Sequence, residues 1–136
     1  MGAVDIEAGL VAFLKADAGV SALVGARVYD HPAPAKTPRP SITWQRISTP
    51  RDRTLDGPSG LARPRFQLGF WADSFLAAKA VANAVRAALD GFRGELGAAG
   101  DTCTVQGASA IDERNAYDEQ SRFQGIQVDY AIWHNE

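Results

Sequence analysis

The chain has 136 residues, of which 46% are hydrophobic and 22% are charged, and this composition is typical of one globular domain. Its net charge of −2 argues against a protein whose main task is to grip nucleic acid, because affinity for phosphate comes largely from Lys and Arg. A single cysteine, Cys103, excludes an intramolecular disulfide and a multi-cysteine metal site. No apolar run approaches the roughly 20 residues that cross a bilayer, and no signal peptide is recognisable, so we expect synthesis and folding in the cytoplasm.

The first part of the chain combines short regular elements with two irregular connections. Apolar spacing predicts a helix over residues 4–15, a helical turn over 20–24 and short strands over 27–29 and 41–47. Residues 30–40 contain four prolines, which predicts an extended connection. Residues 48–63 are predicted to form a projecting hairpin or a mobile loop, since loops longer than about 12 to 15 residues are usually functional or disordered.

The central part of the chain, residues 55–91, holds a turn, a strand and a helix in one block. The turn residues Asp56-Gly57-Pro58-Ser59-Gly60 are followed by alternating apolar positions from Arg65 to Trp71, as a half-buried strand requires. Asp73 or Ser74 can cap a helix whose apolar residues recur until Gly91. The pattern predicts strand, tight corner and helix.

The last third is predicted to contain a glycine-rich loop over 92–100, a strand over 101–107, an irregular polar segment over 111–120 and a closing strand over 122–133. The expected fold is α+β, with a single mixed or antiparallel sheet of four to five strands and two main helices on one face. The second face is polar and carries Trp71 and Trp133 near strand ends, which favours a role in binding a partner. The expected core comprises Leu10, Phe13, Leu14, Phe66, Leu68, Phe70, Val81, Val85, Leu89, Ile126, Val128 and Ile132.

Three dispersed stretches carry a family resemblance. They are Leu23-Val24-Gly25-Ala26-Arg27-Val28-Tyr29, the block over 55–91, and Val128-Asp129-Tyr130-Ala131-Ile132-Trp133. In this order they resemble the tail terminator (tail completion) family of long-tailed bacteriophages and gene transfer agents. The resemblance covers nearly the whole chain, and its motifs are structural rather than catalytic.

The resemblance implies a structural virion protein located in the tail–neck region of a phage-like particle. Such a subunit would assemble with copies of itself, as a hexamer, into a ring at the head-proximal end of the tail tube. The ring would end tube polymerisation and join tail to head, with the tail tube protein and a head–tail connector or stopper protein as further partners. DNA would pass through the lumen without specific binding. Another neck component, such as a stopper or adaptor, and a small soluble ligand-binding or enzyme domain are the alternatives.

Charge is distributed unevenly along the chain. Residues 39–65 hold six arginines and two acids, whereas residues 112–136 hold six acids and two arginines. Either these are solvated loops of different sign, or subunits meet head to tail through complementary surfaces, as in a ring closed by rotation. The residues predicted for such an interface are Arg51, Arg53, Asp56, Arg63, Arg65, Asp118 and Glu119.

Catalytic and metal-binding patterns are weak throughout. Ser59 lacks the strand-to-helix context of a nucleophile elbow. His31 and His134 lack the spacing of metal ligands. The acidic pairs 112–113 and 118–119 lack the alternating ligands and central glycine of a calcium loop. The sequence therefore predicts no enzyme active site, no cofactor and no metal.

Overall fold

The computed structural model describes residues 5–34, 36–55, 57–98, 101–118 and 123–135. Within them lie three helices, α1 Ile6–Ala16, α2 Ala18–Val24 and α3 Phe75–Leu89. The strands are β1 Val28–Asp30, β2 Ser41–Ser48, β3 Arg51–Thr54, β4 Gly57–Ala62, β5 Arg65–Ala72, β6 Gly94–Ala98, β7 Asp101–Asp118 and β8 Phe123–Asn135.

All eight strands belong to one mixed sheet. β1 runs parallel to β2, and the other pairs are antiparallel. β2 pairs with β5, and further along the same hairpin β3 pairs with β4. β3 therefore extends β2, and β4 extends β5. Across the sheet the order is therefore β1, β2 with β3, β5 with β4, β8, β7 and β6. The strand with the most partners is β8, which pairs with β4, β5 and β7.

The predicted sheet of four to five strands with two main helices is wrong, since the described residues form eight strands and three helices. β6 lies in the predicted loop, where Gly94 and Gly97 take φ values of 141° and 128° and gave that segment the pattern of a loop. The predicted irregular segment after residue 110 is the second half of β7. Its side chains are mostly exposed, so it shows no apolar alternation, and its ladder with β8 makes it a strand.

Residues 41–72 form one long hairpin of four strands. The register shifts between Arg46 and Ser48, where the chain passes from β2 toward β3. On the returning side Arg63 and Pro64 separate β4 from β5, and the Arg63 N–H donates to the Pro50 carbonyl at 2.9 Å. Leu55, in the turn after β3, is 107% exposed. The segment predicted as a hairpin or a mobile loop thus includes β3 and β4.

Side chains cap the starts of α2 and α3. Asp17 Oδ2 accepts the Val20 N–H at 3.1 Å at the start of α2. Ser74 Oγ accepts the Ala77 N–H at 3.2 Å at the start of α3, so Ser74 and not Asp73 is the cap. Gly91, with φ of 80°, follows the end of α3.

One face of the sheet and the apolar sides of the helices enclose the core. Phe66, Leu68 and Phe70 of β5 are fully buried, which confirms the predicted alternation of this strand. The expected core residues are all buried except Phe13, which packs at the edge of the core in an edge-to-face contact with Phe92 at 4.9 Å between ring centroids. Residues that the predicted core omitted include Val20, Val24, Ile42, Leu96 and Cys103.

Tyr130 of β8 is fully buried, and within the described residues its hydroxyl has no hydrogen-bond partner. Burial raises the pKa of Tyr130, and the nearby Asp90 carboxylate raises it further, so the phenol is neutral. A buried hydroxyl without a partner costs stability, because water solvates it in the unfolded chain.

We therefore expect Tyr130→Phe to leave the protein as stable as the parent or to stabilise it by up to about 1 kcal/mol. Urea denaturation followed by circular dichroism measures this difference. Tyr117→Phe is the matched control, because Tyr117 is 52% exposed and its hydroxyl removal should change little. A clear loss of stability in Tyr130→Phe alone would contradict the assignment of an unsatisfied hydroxyl.

Candidate assembly surface

The sheet face opposite the helices carries a continuous set of polar side chains, which we call the polar face. Strand register places its members side by side on β2, β5, β8 and β7. Gln45 donates to Gln67 at 2.8 Å across β2 and β5. The polar face comprises Thr43, Gln45, Arg65, Gln67, Trp71, Asp112, Arg114, Gln127 and Asp129.

Asp129 is the centre of an ionic network on the polar face. Its Oδ2 accepts from Arg65 Nε at 3.0 Å and from Arg65 Nη2 at 2.6 Å. Its Oδ1 accepts from Arg114 Nη2 at 3.3 Å, and Arg114 Nη1 donates to Asp112 at 3.1 Å. The Asp129 side chain is 6% exposed, while those of Arg65 and Arg114 are 42% and 39% exposed. The network joins β5, β8 and β7 and carries no net charge.

The Trp71 indole lies flat over two glycines at one end of the polar face. Its Nε1 donates to Thr43 Oγ1 at 3.0 Å. A Cβ placed on Gly125 would lie 2.6 Å from the six-membered ring, and one placed on Gly69 would lie 2.7 Å from Nε1. The ring therefore covers β2, β5 and β8, and only residues without a side chain fit beneath it.

The arginines predicted for an interface fall into two groups. Arg65 is held within its own subunit by Asp129, so its pairing uses an acid from the acidic C-terminal segment of the same chain. Arg51 and Arg53 lie on β3 of the hairpin, and Arg63 directly follows β4. Arg51 and Arg63 are exposed. Sequence reasoning missed that Arg65 and Asp129 are cross-strand neighbours on the sheet, because register is not readable from composition.

The acidic residues predicted for the interface lie at the other end of the sheet. Asp118 ends β7 and pairs in register with Phe123 of β8, whereas Ala62 of the hairpin pairs with His134. Residues 123 and 134 are 11 positions apart on β8, which at a rise of about 3.3 Å per residue amounts to about 36 Å. The structure therefore does not bring the hairpin and Asp118 together within one subunit. Asp56 and Glu119 lie outside the described residues.

Cys103 and His134 lie side by side in the interior, whereas the Ser59 side chain lies outside the described part of the chain. Cys103 Sγ lies 3.5 Å from His134 Nδ1, and both side chains are buried. Burial and the negative charge of Glu95 raise the pKa of Cys103, which favours an unreactive thiol. His31 is exposed after β1. Among the described residues no group of three His, Cys, Asp or Glu side chains is placed to hold a metal ion.

Comparison with known proteins identifies the family. A family model described as "Tail completion protein gp17" matches residues 8–135, which is nearly the whole chain. The chain belongs to this family. It is therefore a structural protein of a phage-like tail, and the resemblance carried by the three sequence stretches is confirmed.

Solved structures show the same fold elsewhere. A chain in a structure entitled "Virion of native gene transfer agent (GTA) particle" is similar with a TM-score of 0.70 and 23% identity, over 90% of this chain and 89% of that chain. No curated protein shows a significant match. Within the described residues of this family member, no helix has the length and apolar character to cross a membrane.

The contribution of the ionic network to the stability of this tail completion family member can be tested by removing the Asp129 charge. Asp129→Asn should destabilise the fold by about 1 to 3 kcal/mol, because two arginines lose a buried carboxylate while remaining partly hydrated. Asp112→Asn is the matched control, since that carboxylate is 54% exposed and its loss should cost less than about 0.5 kcal/mol. Urea denaturation of both variants measures the difference. Equal stability of the two would show that the network contributes little.

The close packing of the Trp71 indole on Gly125 can be tested by adding a methyl group beneath the ring. Gly125→Ala should cost about 1 to 3 kcal/mol, because the added methyl group displaces the indole or strains the sheet. Gly107→Ala on β7 is the control, since no atom lies within 4 Å of a Cβ placed there. Thermal denaturation and the accessibility of tryptophan fluorescence to acrylamide report stability and indole displacement. An unchanged Gly125→Ala protein would contradict the close packing of the ring.

Proposed function

We propose that this chain is a non-enzymatic subunit that forms a ring at the head-proximal end of a phage-like tail tube, ends tube polymerisation and joins the tail to the head. Membership of the tail completion family supports this role. The observation that supports a ring is that basic and acidic side chains are separated along the subunit. A basic hairpin and an acidic strand end lie at opposite ends of β8, the arrangement that a head-to-tail contact requires.

Head-to-tail contacts are heterologous, and they generate a closed ring when the rotation between neighbours closes. The contact that we propose joins the hairpin arginines, Arg51 and Arg53, to the acidic end of β7 in the next subunit. Opposite charges favour this register and disfavour the like-charged alternatives, in which two hairpins or two acidic ends meet. The family resemblance supports a hexamer, with the tail tube protein and a connector or stopper protein on the two sides of the ring.

Passage of DNA through such a ring is compatible with the charges of the chain. The net charge is −2, and the arginines of the polar face are balanced by Asp112 and Asp129. A wall that held phosphate tightly would slow transit, because each phosphate contact adds affinity. Transport through the lumen therefore needs no specific DNA site on this subunit.

The double substitution Arg51→Glu/Arg53→Glu tests the proposed contact. It should leave the melting temperature near that of the parent, because Arg51 is exposed and surface substitutions usually change stability by less than about 0.5 kcal/mol. Ring formation should be lost, since like charges across an interface cost on the order of several kcal/mol and the penalty recurs at every junction. Light scattering and electron micrographs of the protein, alone and on tail tube ends, measure assembly. Reversal of Asp118 and Glu119 should partly restore it.

Lys15→Glu/Arg93→Glu is the matched control, because it changes the net charge equally at two exposed positions outside the hairpin. This control should assemble as the parent does. Normal rings from the hairpin variant would show that the charge asymmetry belongs to solvated surfaces. Failure of the parent to bind tail tube ends would instead favour another neck component, such as a stopper or adaptor.

A further inference from the structure

The outer edge of β7 is only partly covered. β6 pairs with residues 101–105 of this 18-residue strand. Beyond them, the Gly91 N–H donates to the Ala108 carbonyl at 2.7 Å, and Asp90 Oδ1 accepts the Ala110 N–H at 3.0 Å. In the part of the chain that the structure describes, no strand pairs with the outer edge of residues 112–118.

The register of β8 identifies which backbone groups of β7 point outward. Ile132 donates its N–H to the Pro64 carbonyl, on the side of β8 away from β7. Since main-chain groups alternate along a strand, Val128 and Ile126 also bond away from β7. Their partners in register are Glu113 and Asn115. The N–H and C=O groups of these two residues therefore point away from β8, at the outer edge.

This edge has the features of a strand that pairs in an assembly. Residues 112–118 contain no proline, one of the features that commonly protect free edges. Ile111, which directly precedes this edge, is 46% exposed, and Tyr117 within it is 52% exposed. The edges of β1 and β6 differ, because β1 has three residues and β6, which has five, packs against α1.

We propose that the outer edge of β7, over residues 112–118, pairs with strand β3 of the next subunit by backbone hydrogen bonds. This inference rests on the proposed ring and specifies how its subunits join. β3 pairs only with β4 among the described strands, so its other edge is available. Arg51 and Arg53 of β3 complement Asp118 of the β7 edge, whereas Asp112 and Glu113 are paired within the subunit with Arg114 and Lys79. The exposed Leu55 follows β3 directly.

Electrostatic repulsion disfavours the competing arrangement, in which the β7 edges of two subunits pair with each other. Two acidic edges in register would place like charges opposite one another, which destabilises strand pairs. The two proposed edges face opposite sides of the sheet, because β8 and β4 lie between β7 and β3, so they cannot meet within one subunit. In a closed ring each β7 edge would receive one β3 edge, and both edges would be covered at every junction.

Asn115→Pro tests the backbone contact. Proline removes the outward N–H of residue 115 but leaves the ladder to β8, as proline at an edge strand does. The ring should dissociate at a protein concentration at least about tenfold higher than for the parent, because each junction loses a hydrogen bond and meets the proline ring. Asn115→Ala, which keeps the N–H, is the control and should assemble normally. Analytical ultracentrifugation measures the dissociation.

Parent-like assembly by a folded Asn115→Pro would overturn the strand pairing while leaving the ring intact. Absence of rings from the parent, on tube ends as well as in solution, would overturn the proposed function itself. If the proline variant does not fold, a cysteine pair replaces it. Arg53→Cys/Asn115→Cys should form disulfide-linked oligomers, whereas each single variant should not. Assembled rings without cross-links would contradict the inference.

Discussion

The structure depends on the backbone ladder of β8. This strand pairs with β7 along one edge and with β5 and then β4 along the other. Its alternation sends Ile126, Val128, Tyr130 and Ile132 into the core and Gln127 and Asp129 to the polar face. A slip of one residue would exchange the two faces, so burial of the core fixes the register. The same register sets the positions of the ionic network, the hairpin and the open β7 edge.

Charge has two different roles along this ladder. In the middle of the sheet, Arg65 and Arg114 are neutralised within the subunit by Asp129 and Asp112. Because the Asp129 carboxylate is almost buried, it is compatible with a stable fold only when it is paired with the arginines. An unpaired buried carboxylate would destabilise the fold. At the ends of the sheet, the hairpin arginines and Asp118 are too far apart along β8 to pair internally. The basic and acidic segments of the sequence thus pair partly within one subunit, through Arg65 and Asp129. In the proposed ring, they also pair between neighbouring subunits.

The sequence predicted those strands and helices whose apolar side chains recur with a regular period, because one of their faces lies in the core and the other in water. The spacing of Phe66, Leu68 and Phe70 sufficed for β5, and helix periodicity sufficed for α1 and α3. β6 and the outer half of β7 were missed because glycines or exposed polar residues occupy them, and only pairing with a distant strand makes them extended. The interface candidates were chosen by charge. Arg65 shows the limit of that choice, because its partner Asp129 is 64 residues away along the chain.

An edge that joins subunits must not join them indiscriminately. Backbone hydrogen bonds fit any strand, so their pairing energy carries little selectivity, and selectivity must come from the side chains around the edge. In the proposed junction, acids along 112–118 would disfavour pairing of two identical edges, whereas arginines on β3 would favour one orientation of the neighbour. Because each contact is small and charged, isolated junctions are expected to be weak at physiological salt. Closure of the proposed ring would add a final junction without ordering another subunit, which would stabilise the complete ring over open chains.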